Sequence, residues 1–243
     1  MSDPSTRTSI VRDGVAVGIA TGAYGISFGA ISVAAGLSVL QTCALSLLVF
    51  TGASQFALVG VVAAGGSPLS GAATGLLLGS RNTLYGLRLA PLLGWTGWRR
   101  VGAAHLVIDE STAMSVTRDD PSDSRLGFLS TGLSVFTLWN LATLVGALAG
   151  EALGDPRTYG LDAAVGGAFL ALLWPRLRDR HNQVTGALAV LLALSLVPLA
   201  PAGVPVLAAG LVALAVGLGT RGDEDPTEVP DRDHLPSGGD HHR

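Results

Sequence analysis

The stretch FTGASQFALVG, Phe50 to Gly60, lies in the middle of an apolar run that extends from Thr42 to Ala64. A hydrocarbon core about 30 Å thick requires about 20 mostly apolar helical residues, so this run is long enough to cross a bilayer. Lipid offers the backbone no hydrogen-bonding partner, so a flexible residue such as Gly52 is tolerated at that depth only against protein or a wet cavity. The stretch therefore predicts a membrane helix that is broken near its midpoint.

Similar apolar runs recur on both sides of this stretch. The chain has 243 residues, of which 49% are hydrophobic and 14% charged, and its mean hydropathy is +0.50. This composition predicts an all-α, polytopic integral membrane protein with about 7 to 8 transmembrane helices, some of them broken at glycine-rich points. The predicted transmembrane domain is 14–219, between an N-terminal segment, 1–13, and a polar tail, 220–243, which we expect to be disordered. The clear candidate spans are Val15 to Leu37, Thr42 to Ala64, Leu69 to Leu93, Leu126 to Gly150, Leu161 to Trp174, Val184 to Leu199 and Val204 to Leu218.

An eighth span, Val101 to Val116, is uncertain. Asp109 and Glu110 each oppose insertion by about 2.5 to 3.5 kcal/mol at a helix centre. The rule that cytoplasmic loops are rich in arginine does not decide, because seven and eight spans distribute the arginines equally well. Both solutions place the C-terminus in the cytoplasm, and the expected location is the plasma membrane.

Several classes of protein are disfavoured by the sequence. The net charge of −3 gives no basic surface, so we expect no nucleic-acid partner. The single cysteine, Cys43, excludes an internal disulfide and a multi-cysteine metal site. Nucleotide-binding and hydrolase motifs are missing from suitable contexts, so we predict no enzyme activity, no catalytic residues, no cofactor and no metal.

Polar residues within the first two spans have two interpretations. In transporters, interrupted helices present their ends to a substrate near the bilayer midplane, which makes Gly52, Ser54 and Gln55 candidate substrate-binding residues. Ser54 and Gln55 are alternatively packing residues. The segment TGAYGISFGA, Thr21 to Ala30, is either a second break or part of a ridge of small residues for close helix packing; that ridge comprises Gly18, Gly22, Gly25 and Gly29.

Charged residues form a second group of candidates. Arg81 and Arg88 are seven residues apart and share a helix face, and each needs a partner inside a membrane. Asp109 and Glu110 are the nearest acidic candidates, either as ion-pair partners or as proton-coupling groups. Arg81 would receive a carboxylate and Asp109 an ammonium or a proton, or the two would only fasten helices together. Asn140 either cross-links helices or lines a cavity.

Beyond single residues, the run SLLVFTGASQFALVGVVAAGGSPLSGAATGLLLGSRNTLYGLRLAPLL, Ser46 to Leu93, resembles the AzlC family of branched-chain amino acid permeases. The order GASQF, RNTLYGL, APLL is specific. The resemblance continues through IDESTAMS, TLWNLATLVGALAG and GLDAAVGGAFLALLWPRL, so it covers roughly Gly14 to Leu218.

This resemblance implies export of hydrophobic amino acids such as leucine, isoleucine and valine, together with a small membrane partner of the AzlD type. Family members often have LRHLLYGL where this chain has SRNTLYGL, so Asn82 stands at a position often occupied by histidine. A proton role of that histidine is not carried over to this chain.

The sequence thus predicts a secondary transporter of branched-chain amino acids, driven by the proton gradient. We expect Arg81, Asn82 and Asp109 to contact the zwitterion, together with the helix ends between Gly52 and Gln55. The rival interpretation is a noncatalytic scaffold or channel-like subunit whose intramembrane polar residues are structural.

Overall fold

The computed structural model describes residues 4–153, 170, 173–200 and 204–220, and the regular structure of these residues is entirely helical. The helices that surround the candidate site come first in the chain, and two further helices follow them. Their bounds are α1 Pro4–Ala34, α2 Val39–Leu48, α3 Ala53–Ala63, α4 Pro68–Gly79, α5 Arg81–Leu93, α6 Gly97–His105, α7 Asp109–Val116, α8 Pro121–Leu153, a 3-10 helix Trp174–Arg178, α9 Arg180–Leu196 and α10 Val204–Thr220.

Helices α1 and α8 are long, continuous and packed against each other along their length. Glycines of α1 make this approach possible: a Cβ on Gly22 would lie 2.7 Å from the Leu138 Cβ, and one on Gly25 would lie 2.5 Å from the Trp139 carbonyl oxygen. Small residues allow such contact between membrane helices. The ridge interpretation is therefore confirmed, and the alternative of a break between Thr21 and Ala30 is wrong because α1 is unbroken there.

In the middle of the chain, three helix junctions fall within the spans predicted from the sequence. Helix α2 ends at Leu48 and α3 restarts after Gly52, whose φ of 61° and ψ of −97° suit only glycine. Between α6 and α7 the chain is extended at Ile108, with φ −132° and ψ 172°. The junction of α4 and α5 is milder, because Ser80 keeps right-handed helical dihedral angles. The break expected near Gly52 is confirmed.

The part of the chain that the structure describes has fewer helices that could cross a bilayer by themselves than the seven or eight spans predicted from the sequence. Among the described residues, α1 and α8 are both long and apolar enough to cross a bilayer by themselves. The other α-helices have 8 to 17 residues, so seven or eight spans are not confirmed. The predicted span from Leu161 to Trp174 and the tail beyond Thr220 fall largely or wholly outside the described residues.

An aromatic cluster fixes α3 against the α1–α8 pair. The Phe28 ring of α1 lies 5.3 Å from the Phe56 ring of α3 and 5.9 Å from the Trp139 ring of α8, measured between centroids. All three side chains are almost fully buried. Edge-to-face and offset aromatic pairs add to the free energy of burial, so the start of α3 is held rigidly beside both long helices.

Candidate functional site

A central cavity of about 620 Å³ lies where the interrupted helices restart. Gly52 and Ala53 line it from the start of α3, Arg81 from the start of α5, and Asp109 with Glu110 from the start of α7. A helix N-terminus carries partial positive charge from its unpaired N–H groups. The fold therefore brings two free helix ends and three charged side chains to one place.

A buried glutamine stabilises the break between α2 and α3. The Gln55 Oε1 atom accepts from the Gly52 backbone N–H at 3.1 Å, and its Nε2 atom donates to the Leu45 carbonyl of α2 at 3.2 Å. Gln55 is fully buried and thus satisfies both sides of the break. Its amide is occupied by the backbone, so the structure places Gln55 behind the cavity rather than in its lining.

Ser111 has the corresponding position in α7. The Ser111 Oγ atom accepts from the Ile108 backbone N–H at 3.1 Å and donates to the carbonyl of Leu106, the residue that follows α6, at 2.6 Å. Like Gln55, this residue is fully buried and stands three positions after its helix cap. Ser111 was not among the residues predicted from the sequence. A polar residue three positions after a helix cap, which is the spacing of a capping box, is the signal that could have found it.

An ion pair links two of the restarting helices. The Arg81 Nη2 atom lies 3.0 Å from the Asp109 Oδ2 atom, and the side chains are 23% and 36% exposed. The Arg81 Nε and Asp109 Oδ1 atoms are buried and have no hydrogen-bond partner among the described residues. The pair thus ties α5 to α7 at the cavity. Arg88, the other sequence candidate, lies exposed on α5 and forms no ion pair within the described residues.

Glu110 is the third charged residue of the cavity. It lies beside Asp109 and Arg81, and the Thr21 hydroxyl of α1 is within its hydrogen-bonding reach. Both acids stand in the first turn of α7, where the positive end of the helix stabilises negative charge. The first turn of α3 has no acidic residue, so its N–H groups are left for an anion.

The remaining walls of the cavity are mainly apolar and aromatic. Phe50, Phe56 and Trp139 line one part, and the Trp139 indole N–H is buried without a hydrogen-bond partner in the described structure. Such a surface suits the side chain of a hydrophobic solute. Further lining comes from Tyr24, Leu78, Ile108, Val135, Leu170 and Leu173, which were not predicted as site residues.

Three more sequence candidates lie outside the cavity lining. Ser54 is buried and its side chain faces Gly79 of α4. Asn82 lines a separate cavity of about 410 Å³, and its Nδ2 atom donates to the Val107 carbonyl at 3.0 Å. Asn140 donates to the Phe136 carbonyl at 2.8 Å within its own helix, so the expected link between helices is not seen. Substrate contact by Ser54, Gln55, Asn82 or Asn140 therefore stays a prediction without geometric support.

Metal-ligating side chains do not cluster in the described part of the chain. No group of three or more His, Cys, Asp or Glu side chains is arranged there to hold an ion. The chemistry available in the cavity is the recognition of charge, by one arginine, two carboxylates and two helix ends, next to an apolar wall.

The fold and this site define a helical membrane protein with a charged central cavity. A family model described as "AzlC protein" matches residues 16–153, which is more than half of the chain and includes α2 to α7 completely. The chain belongs to the AzlC family, and the resemblance stated above is confirmed.

Relatives in other organisms agree with this assignment. An "Uncharacterized membrane protein" of Archaeoglobus fulgidus is 33% identical over 181 residues, 73% of this chain and 79% of the relative. A Helicobacter pylori protein of the same description is 25% identical over 178 residues, 72% and 77% of the two chains. The "Branched-chain amino acid transport protein AzlC" of Bacillus subtilis is 23% identical over 168 residues, which are 67% of this chain and 65% of the relative. No solved structure matches the chain significantly. The family and these relatives support a membrane location and a transport role.

Proposed function

We propose that the protein is a secondary transporter that exports branched-chain or similar hydrophobic amino acids across the plasma membrane, driven by the proton gradient. The observation that carries the proposal is the central cavity, in which opposite charges and an apolar wall stand together. A cavity of about 620 Å³ is within the usual range for small-molecule sites, about 300 to 1,000 Å³. A zwitterion with an apolar side chain requires this combination.

Recognition of the zwitterion follows from the two helix ends. The substrate carboxylate would accept a hydrogen bond from the backbone N–H of Ala53, which lines the cavity, because no acid competes for the start of α3. The ammonium group would face Asp109 and Glu110 at the start of α7. The branched side chain would pack on Phe56 and Trp139.

The interrupted helices also suggest how the chain crosses the membrane. We propose that α2 with α3, α4 with α5, and α6 with α7 each form one interrupted span. With α1, α8, α9 and α10 this gives seven spans, and the predicted span from Leu161 to Trp174 would be the eighth, which places the C-terminus in the cytoplasm. Breaks are tolerated at membrane depth where they line a cavity, as these do. A small AzlD-type membrane subunit would be the partner, and the exposed apolar surfaces of α9 and α10 are available to it or to lipid.

Proteoliposomes provide the test of transport. The purified chain, with and without the AzlD-type subunit, should exchange labelled L-leucine for unlabelled leucine inside the vesicle, and a labelled acidic amino acid serves as the negative control. Exchange of leucine without exchange of the acidic amino acid supports a carrier. A chain that inserts normally but exchanges no leucine, even with the partner present, would instead be the noncatalytic scaffold.

A further inference from the structure

The charges in the central cavity do not balance. Arg81 and Asp109 form a pair at 3.0 Å, while Glu110 forms no ion pair among the described residues. The titratable groups that line the cavity are Tyr24 from α1, Arg81 from α5, and Asp109 with Glu110 from α7, and the described lining from α3 and α8 adds none. With tyrosine neutral and the arginine and both carboxylates ionised, the described lining of the cavity carries one net negative charge.

An uncompensated carboxylate in these surroundings is unfavourable. The N-terminus of α7 and the nearby Arg81 offset part of this cost, but the adjacent α1 residue, Thr21, supplies only a hydroxyl, and the walls beyond it are mainly apolar. A carboxylate that is partly removed from water is destabilised unless a positive group or a proton compensates it. A cation in the cavity or a proton on the carboxylate would therefore stabilise Glu110.

We propose that Glu110 binds either the substrate ammonium group or one proton, and that this mutual exclusion couples amino-acid export to proton entry. The inference rests on the transport function proposed above. In the loaded carrier, Glu110 is ionised and pairs with the ammonium group. After the amino acid leaves on the outside, a proton from the medium binds the Glu110 carboxylate and is released to the cytoplasm before the next substrate binds.

Asp109 is less suited to this exchange, although the sequence made it the first candidate. Its Oδ2 atom already meets the Arg81 guanidinium at 3.0 Å, and a proton there would leave the arginine unpaired. Protonation of Glu110 leaves the ion pair intact and brings the net charge of the empty cavity to zero. Arg81 and Asp109 thus form a permanent ion pair, whereas the Glu110 carboxylate is the group that exchanges a proton for the ammonium group.

The experiment measures protons and leucine binding together. Titration calorimetry of the full-length protein with L-leucine, in buffers of different ionisation enthalpy, counts the protons released on binding. At acidic pH, where the carboxylate of the empty carrier is protonated, we expect the wild-type protein to release about one proton per leucine bound. Its affinity for leucine should fall about tenfold for each unit by which the pH is lowered in this range. Glu110→Gln should release none, and its reduced leucine counterflow should lose its dependence on pH between about 5 and 8.

Three other variants make this result specific. Glu110→Asp keeps a carboxylate and should keep the pH dependence. Asp109→Asn frees Arg81 to compensate Glu110, so its pH dependence should remain but shift to lower pH, together with a lower abundance. Glu151→Gln changes an exposed acid at the far end of α8 and should behave as wild type.

The outcomes separate the two proposals. A Glu110→Gln protein with the wild-type pH dependence, or a wild-type protein that binds leucine without releasing protons, overturns the role of Glu110 and leaves transport standing. Loss of both flux and abundance in Glu110→Gln and Glu110→Asp alike also overturns it, in favour of a structural role. A wild-type protein that neither binds nor exchanges leucine overturns the transport function itself.

Discussion

The α1–α8 pair and the interrupted segment from α2 to α7 are both rich in glycine, yet glycine has opposite roles in them. In α1, Gly25 and Gly29 lie within a continuous helix, and an added Cβ would collide with the α8 backbone. In the interrupted segment, Gly52 has nothing within 4 Å of an added Cβ but adopts a backbone conformation that other residues avoid. One region uses glycine for close contact, and the other uses it to end a helix.

The largest effect is expected from a substitution that disrupts the contact between α1 and α8. A Cβ on Gly29 would lie 2.6 Å from the Ala147 backbone nitrogen, so Gly29→Ala forces the helices apart and should destabilise the protein by about 3 kcal/mol. Thermal unfolding in detergent and folded abundance in the membrane measure this. Gly102→Ala in α6 is the matched control, because nothing lies within 4 Å of its added Cβ. Equal stability of the two variants would mean that the helices are not in close contact.

The second effect concerns the ion pair between the interrupted helices. Asp109→Asn leaves Arg81 without its partner, and since both side chains are partly exposed we expect a loss of about 2 kcal/mol, less than for a fully buried pair. The double variant with Arg81→Gln should recover part of this loss, which a double-mutant cycle quantifies. Asp13→Asn breaks an exposed pair with Arg12, at 3.5 Å, and should change little. Identical melting temperatures for Asp109→Asn and wild type would exclude a fastening role.

The third effect tests whether Gln55 holds the break or binds substrate. Gln55→Leu removes the partners of Gly52 N–H and Leu45 C=O, so abundance and transport should fall together, at a cost of about 2 kcal/mol. Gln41→Leu is the control, because Gln41 accepts from the Ser38 N–H in the same way at an exposed helix start. If Gln55→Leu inserts at the wild-type level but does not transport, direct contact with the substrate is restored as the explanation.

The smallest effect is expected from a substitution that changes only the backbone strain at the break between α2 and α3. Gly52→Ala adds no steric contact, and its cost of about 1 to 2 kcal/mol comes only from the dihedral angles. Because Gly52 and Ala53 line the cavity, leucine exchange should suffer more than stability does. Gly86→Ala, also free of contacts but within α5 and without a positive φ, should be neutral or slightly stabilising. A Gly52→Ala protein with full activity would show that the break tolerates ordinary residues.

The sequence by itself determined the helical, apolar character of the chain, its family, and the break at Gly52. These depend on local properties: the length of an apolar run, the order of residues in a motif, and the freedom of glycine. It also identified Arg81, Asp109 and Glu110 as residues that need partners, since charge inside a membrane is costly wherever it stands.

Only the tertiary structure decided which partner each polar group has. Arg81 and Arg88 are equivalent in sequence, yet only Arg81 reaches Asp109, because α5 restarts beside α7. The order of residues also could not show that Gln55 and Ser111 turn to the backbone, or that Asn82 and Asn140 lie outside the cavity. A polar side chain binds whatever group packing brings within about 3 Å, and that distance depends on helices that are far apart in the chain.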